Sequence, residues 1–365
     1  MVDTNPAVES TPAPLCLALA QALYERIPIV TRDPALAAYG VATIWWRLFA
    51  GYSHMLCAAM SLILISTPLA SAISYFQAIV LGVLQGVTEL FPISSLGHTV
   101  LFPTLFGWNK LVDAQSESES FWLAFVVMLH VGSAIGLLIY YWSDWVQIVK
   151  AFFRTLGKRR AETSTERLAW LIIVASIPAG VFGLAFEHQL RTLTAKPEIA
   201  AMLLMVNGLI LFAAERFRRR TAVRELAVRE GLNPEGGRKL DTLEYREALV
   251  VGVAQSTALF AGISRDGVTM GTGLARGLDH SDSARFAFLL ATPIILAAGL
   301  IKLPDLLGHL GDGIRGQALV ACISAAITAV FTVAFLVRWF KTRTLIPFAI
   351  YCLVFGGAMV IYTLG

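Results

Sequence analysis

From residue 121 onward, apolar residues come in six long runs separated by short polar stretches: about 121–143, 168–188, 199–217, 285–303, 317–338 and 344–364. Each approaches or exceeds the roughly 20 residues a helix needs to cross a bilayer core. Two further apolar segments, 74–106 and 247–278, are broken near the middle by PISSLG and AGISRDG. Pro92, Gly97, Gly262 and Gly267 are poor interior helix residues, so each segment predicts a helix–loop–helix hairpin that enters the membrane and turns back. Irregular backbone persists at that depth only where it lines a cavity or is buried in protein. Residues 1–71 stand apart as an N-terminal extension. Its first 40 residues are rich in Ala and Pro and predict little order, and 54–70 (HMLCAAMSLILISTPLA) predicts an extra span or a signal-like helix.

The two broken segments are related. LGVLQGVTELFPISSLGHT at 81–99 aligns without a gap on VGVAQSTALFAGISRDGVT at 251–269, an offset of 170 residues, with seven of nineteen positions identical. The membrane domain, 72–365, therefore divides into repeat one (72–217), a charged loop (218–246) and repeat two (247–365). Basic residues set the orientation. The loops around 150–167, 216–246 and 338–343 carry eighteen Lys and Arg, against five in the alternating loops. The positive-inside tendency puts the first group in the cytoplasm. With three spans per repeat, the second repeat is inverted relative to the first, and the broken loops can meet near the midplane. The predicted fold is all-α and integral to the membrane, with six transmembrane helices plus two re-entrant hairpins in inverted-topology repeats.

Composition agrees. The chain is 56% hydrophobic and 15% charged, where a soluble domain is about a quarter charged, and its mean hydropathy is +0.68. Nothing suggests nucleic-acid binding. Cys16, Cys57, Cys322 and Cys352 have no CxxC spacing and read as apolar fillers rather than a disulfide or zinc framework. The Tyr140, Tyr141, Trp142 and Trp145 cluster reads as an interfacial aromatic belt.

Of 29 basic residues, the loops, the N-terminal extension and the cytoplasmic end of the second hairpin account for all but Arg265, which lies in a broken loop. Glu89 is equally isolated in the first hairpin. Lone charges in hydrocarbon cost several kcal/mol, so these two face a wet cavity or each other. An ion pair joining the halves is the plain reading. The neighbours Ser94, Ser95, Gly97 and His98, with Gly262, Ser264, Gly267 and Thr269, add hydroxyls, an imidazole and loop amides. Arg grips phosphate bidentately, amides at a broken helix start cradle anions, and a serine beside a base can be activated. Together they point to an anionic, phosphorylated ligand. Gln85 lies one turn before Glu89 and shares its helix face, a thin ligand set for a divalent cation. His130 reads first as a satisfied interior histidine and second as a residue facing the site. Asn207 reads as structural or interfacial.

These segments resemble the bacterial undecaprenyl-diphosphate phosphatase family of the bacitracin-resistance type, with motifs (E/Q)GxTEFxPxSSxxH and PGxSRSxxT. Here they read QGVTELFPISSLGH at 85–98 and AGISRDGVT at 261–269. The resemblance implies catalytic roles for Glu89, Ser95, His98 and Arg265, with Ser95 as nucleophile. It implies phosphate contacts from Ser94, Ser264, Gly267, Thr269 and Arg265, and a divalent cation (Mg2+ or Ca2+) near Gln85 and Glu89. Ala261 replaces the usual Pro, Asp266 the Ser after the arginine, and Leu96 a small or polar residue. A carboxylate at 266 would repel phosphate unless it turns away or binds the cation.

The expected activity is hydrolysis of a polyprenyl diphosphate to the monophosphate at the external face of the inner membrane, recycling the cell-wall carrier lipid. The expected partners are that lipid and membrane lipids, with a homodimer left open. The alternative is an inverted-repeat transporter or flippase for an anionic lipid, and Asp266 raises a third option, an inactive homologue.

Overall fold

A computed structural model describes residues 29–30, 43–44, 73–116, 121–158, 160–194, 196–220 and 238–364. The chain divides into two units, Met1–Ala70 and Ser71–Gly365. In the first, a two-residue parallel pair, β1 (Ile29–Val30) with β2 (Thr43–Ile44), is described. The helix expected at 54–70, along with Cys16 and Cys57, lies outside the described residues, as does most of the loop 218–246.

The second unit is helical. Twelve α-helices are described: α1 (Tyr75–Thr88), α2 (Ser95–Leu105), α3 (Asn109–Ser116), α4 (Phe121–Tyr140), α5 (Trp142–Lys158), α6 (Ser164–Thr194), α7 (Pro197–Arg220), α8 (Tyr245–Gln255), α9 (Arg265–Ala275), α10 (His280–Leu307), α11 (Arg315–Trp339) and α12 (Ile346–Leu364). Among the described residues, six helices are long and apolar enough to cross a membrane: Phe121–Tyr140, Ser164–Phe186 within α6, Pro197–Arg218 within α7, α10, α11 and α12. They match the six predicted runs to within a few residues. The largest difference is at α10, which begins five residues before the predicted 285 and ends four after 303; at 141–143 the chain turns at Tyr141 and starts the separate helix α5. This is a multi-pass membrane protein.

Each broken segment is a helix, a break and a second helix where the repeat predicts them, an arrangement consistent with hairpins. Helices α8 and α9 begin 170 residues after α1 and α2. Packing follows the same duplication: α1 of repeat one lies on α11 of repeat two, and α8 of repeat two lies on α6 of repeat one. Helices α7 and α12, which occupy equivalent places in the two repeats, pack on each other, as do α4 and α10. Such exchange of contacts is what an internal two-fold relation produces. Close approach explains two of the repeated identities. A Cβ on Gly82 would stand 2.5 Å from the Ala321 carbonyl oxygen of α11, and one on Gly252 would strike the Ala175 carbonyl of α6. Without a side chain the helix backbones can touch, the usual route to tight helix packing in lipid.

At the charged end of the second hairpin, Arg238 holds Glu247 through two hydrogen bonds of 3.0 and 3.1 Å, and Arg276 lies 3.6 Å from the same carboxylate. Arg285 pairs with Asp144 of α5. These cations therefore anchor loops. Buried Glu215 of α7 takes hydrogen bonds of 2.7 Å from both His280 Nε2 and the Leu345 amide, tying α10 and α12 to α7.

Candidate active site

The two broken loops are built alike. Ser94 precedes α2 and its Oγ accepts from the Gly97 amide at 3.3 Å; Ser264 precedes α9 and its Oγ accepts from the Gly267 amide at 3.1 Å. Both are helix N-caps, which satisfy amides left unpaired by the first turn. The repeated Ser-x-x-Gly pattern is thus a capping pattern, in which each Oγ accepts from an amide and keeps its hydroxyl hydrogen for another acceptor. Ser94 also accepts from the Gly262 amide at 3.0 Å, which joins the loops directly. Ser94 sits at φ +69° and Gly262 at φ +108°. For Ser94 that left-handed conformation is strained and is held by these bonds. For Gly262, a Cβ would also meet the Ala200 carbonyl at 2.5 Å.

Asn207 of α7 completes the join. Its Nδ2 donates to the Pro92 carbonyl at 2.9 Å, and its Oδ1 accepts from the Ser264 amide at 3.0 Å. Fully buried, it clamps one loop to the other. The structural reading of Asn207 holds in this specific form.

On this frame the expected charges meet. Glu89 caps the end of α1 and is buried. Its Oε1 receives Arg265 Nη2 in an ion pair, and its Oε2 receives the Ser95 hydroxyl and, at 3.0 Å, Gln85 Nε2. Ser95 and Arg265 are the first residues of α2 and α9, at equivalent positions in the two repeats. In the same two broken segments several buried polar atoms have no hydrogen-bond partner among the described residues: Gln85 Oε1, Arg265 Nε, Thr269 Oγ1 and both Asp266 carboxylate oxygens. Native interiors keep few such groups, and a cluster of them marks a place for a polar ligand or water.

Two histidines stand differently from expectation. His98 does not touch Ser95. Its Nδ1 lies 2.7 Å from the Ser94 carbonyl and its Nε2 2.8 Å from the Tyr351 hydroxyl of α12, with the ring near-parallel to both Tyr351 and Phe355, which also lie against each other. The carbonyl can only accept, so Nδ1 carries the proton and Nε2 accepts from Tyr351. Both nitrogens are then engaged, and the catalytic histidine implied by the motif has no free nitrogen directed at the nucleophile. His130 of α4, read first as an interior filler, instead has its Nε2 3.5 Å from Ser95 Oγ and 3.4 Å from Glu89 Oε2. In the spacing of α4 the one available cue is that position 130 is polar in an otherwise apolar run.

Asp266 is buried, with Oδ1 3.7 Å from Arg265 Nε. It lies beside Nε, while Nη2, on the same edge of the guanidinium, meets Glu89. Among the described residues no group of three or more His, Cys, Asp or Glu is arranged to hold a metal ion. The donors near the site, Gln85 Oε1 and Glu89, fit only a cation that brings most of its oxygen ligands with a phosphorylated substrate.

The family model for Bacitracin resistance protein BacA matches residues 78–358. An "Undecaprenyl-diphosphatase 2" of Frankia alni is 50% identical over 331 residues, covering 78% of this chain and 96% of the relative. An "Undecaprenyl-diphosphatase" of Mycolicibacterium paratuberculosis is 50% identical over 297 residues (80% and 97%), and one of Acidiphilium cryptum is 41% identical over 291 (78% and 96%). With its spans, its duplicated hairpins and the full length of these relatives matched, the chain belongs to the Bacitracin resistance protein BacA family.

Proposed function

We propose that this protein is a membrane phosphatase that hydrolyses undecaprenyl diphosphate, or a close polyprenyl relative, to the monophosphate and inorganic phosphate. The observation that carries the reading is the meeting at Glu89: one carboxylate holds a serine hydroxyl from repeat one and a guanidinium from repeat two. A transporter needs an anion-binding cavity but no nucleophile, so Ser95 in this position favours hydrolysis over the transport alternative. The relatives' names point the same way.

Both side chains next to the carboxylate keep some exposure, 18% for Arg265 and 19% for His130, so a phosphate can reach them. Arg265 turns its guanidinium from Glu89 to the terminal phosphoryl group, where its planar donors match the oxygens and stabilise charge as it develops. Ser95 Oγ attacks that phosphorus, and the bridging P–O bond breaks with its electron pair leaving on the polyprenyl monophosphate. Water then releases the phosphoserine. Ser95's proton has two acceptors within reach, Glu89 and His130. The free Thr269 hydroxyl adds a contact to the phosphate. A divalent cation, if used, would sit on the diphosphate beside Gln85 Oε1 and Glu89, and it would supply charge neutralisation.

The positive-inside count and the inverted repeats support a bacterial inner-membrane protein whose hairpins re-enter the bilayer and whose site opens to the periplasmic or external face. The apolar tail would lie in lipid between spans. The extension 1–71 is outside this catalytic unit, and a homodimer requires no residue of a second copy at the site. The reading is tested by phosphate release from undecaprenyl and farnesyl diphosphates by purified protein in detergent, with and without chelator. Steady release that is abolished by Ser95→Ala is expected. Turnover unaffected by Ser95→Ala would discard the mechanism, and no release from any diphosphate would favour transport.

A further inference from the structure

We infer that His130, on the first membrane span, is the proton acceptor and donor for Ser95 in this reaction, a role that falls to it in place of His98. The inference rests on the phosphatase reading above. Three observations carry it. His130 Nδ1 lies 2.8 Å from the Val126 carbonyl of its own helix. A carbonyl oxygen can only accept, so Nδ1 bears the hydrogen and Nε2 presents its lone pair. That lone pair stands 3.5 Å from Ser95 Oγ, the attacking atom. The third contact, Nε2 to Glu89 Oε2 at 3.4 Å, means that a proton taken from Ser95 places its positive charge beside a carboxylate. Hydroxyl, imidazole and carboxylate form a closed triangle. The functional parts are those of a serine triad, although here the carboxylate also touches the hydroxyl.

The competing acceptors are His98 and Glu89. Both nitrogens of His98 are spent on Ser94 and Tyr351. Glu89 receives the Ser95 hydroxyl in the resting structure and sits nearer to it than His130, but it also receives Gln85 and Arg265, so its charge serves to hold the nucleophile and the phosphate clamp, and the proton is handed to the imidazole beside it. His130 Nε2 has no donor of its own other than the serine.

The step balances as follows. The Ser95 proton moves to Nε2 as Oγ bonds to the terminal phosphorus and the bridging P–O bond breaks. The departing monophosphate takes that proton from Nε2. Water then adds to the phosphoserine, giving one proton to Nε2 and keeping the other on the inorganic phosphate. The P–Oγ bond breaks, and Oγ recovers the proton from Nε2.

The experiment is steady-state phosphate release from farnesyl diphosphate by the full chain in detergent, for wild type and His130→Gln, across the neutral and alkaline range. His130→Gln is expected to lower kcat at neutral pH by about 10²- to 10³-fold with little change in KM. Its kcat should climb with pH as solvent hydroxide takes over from the lost base, a trend that a merely structural lesion would not show. A variant within tenfold of wild type, a loss confined to KM, or a loss of equal size at every pH would overturn the inference while leaving the phosphatase reading intact. If wild type itself releases nothing, both fall. If His130→Gln does not elute as a folded species, His130→Asn takes its place under the same expectations.

Discussion

The two hairpins share a frame and divide the chemistry. Ser94 and Ser264 cap the second helices through Gly97 and Gly267, and Gly82 and Gly252 let the first helices touch a span of the opposite repeat. At the positions that matter for reaction they part. Glu89 stands opposite Leu259, Ser95 opposite Arg265, and His98 opposite Val268 in the alignment. Even an identical residue diverges: Gln85 donates to Glu89, whereas Gln255 donates to the Ala175 carbonyl of a neighbouring helix at 2.8 Å. Duplication preserved what positions two helix starts against each other. One start carries Ser95 and the other Arg265, the proposed nucleophile and phosphate clamp, so on that proposal neither hairpin acts alone.

The sharpest way to break this comparison is to remove the clamp from the second hairpin. Arg265→Ala is expected to lower kcat/KM by about 10³-fold or more, measured by phosphate release. It also leaves Glu89 as a buried charge without its cation, which is costly, so the thermal midpoint should fall as well. Glu89→Gln, made from the other side, should lose a similar amount of activity because it frees both Ser95 and Arg265. If Arg265→Ala kept a tenth of the wild-type rate, the second hairpin would be scaffolding only.

Next in size is the join between the hairpins. Asn207→Ala leaves the buried Ser264 amide and Pro92 carbonyl without partners. An unsatisfied buried group costs about 1–3 kcal/mol, so the variant should lose roughly 2–5 kcal/mol of stability, read by denaturation in detergent. Turnover should fall by about 10²-fold, because the two loops lose their register. An unchanged rate would mean that the Ser94–Gly262 bond alone holds them.

Much of this architecture was legible in the sequence, for physical reasons. Long apolar runs and the ungapped 170-residue offset report periodicity and duplication, and the structure places both hairpin helices and all six spans accordingly. The isolation of Glu89 and Arg265 in apolar sequence limited them to a wet cavity or each other, and they pair. What spacing could not report was contact between residues far apart in the chain. His98 finds Tyr351, 253 residues on, and His130 faces Ser95 because of how α4 is rotated. The caps at Ser94 and Ser264 were legible too, since a serine three residues before a glycine, at a predicted helix start, signals a cap.

Asp266 tests a smaller difference, the one residue of the second loop that departs from the family motif in charge. Its carboxylate is buried with Oδ1 3.7 Å from Arg265 Nε and makes no hydrogen bond among the described residues, whereas Glu89 holds Arg265 Nη2 directly. Asp266→Ser should therefore change kcat by less than about tenfold and raise stability by removing a buried carboxylate without hydrogen bonds, by about 1–3 kcal/mol. A hundredfold gain in rate would instead show that Asp266 repels phosphate, and that this chain has drifted from full activity.

The smallest expected effect concerns His98, the residue of the first hairpin whose motif role and observed contacts diverge. Tyr351→Phe keeps the ring that stacks on His98 at 5.7 Å between centroids but removes the hydroxyl that donates to Nε2. If His98 serves to hold Ser94, and through it the start of α2, the Nδ1 bond to the Ser94 carbonyl does that work and survives the change. Loss of one neutral hydrogen bond at a partly exposed tyrosine is worth about 1 kcal/mol. Turnover should drop no more than about fivefold, with KM unchanged. A loss of 10²-fold or more in kcat would mean that the Tyr351–His98 pair passes a proton during the reaction, and the first hairpin would then carry its own acid–base group in addition to its nucleophile.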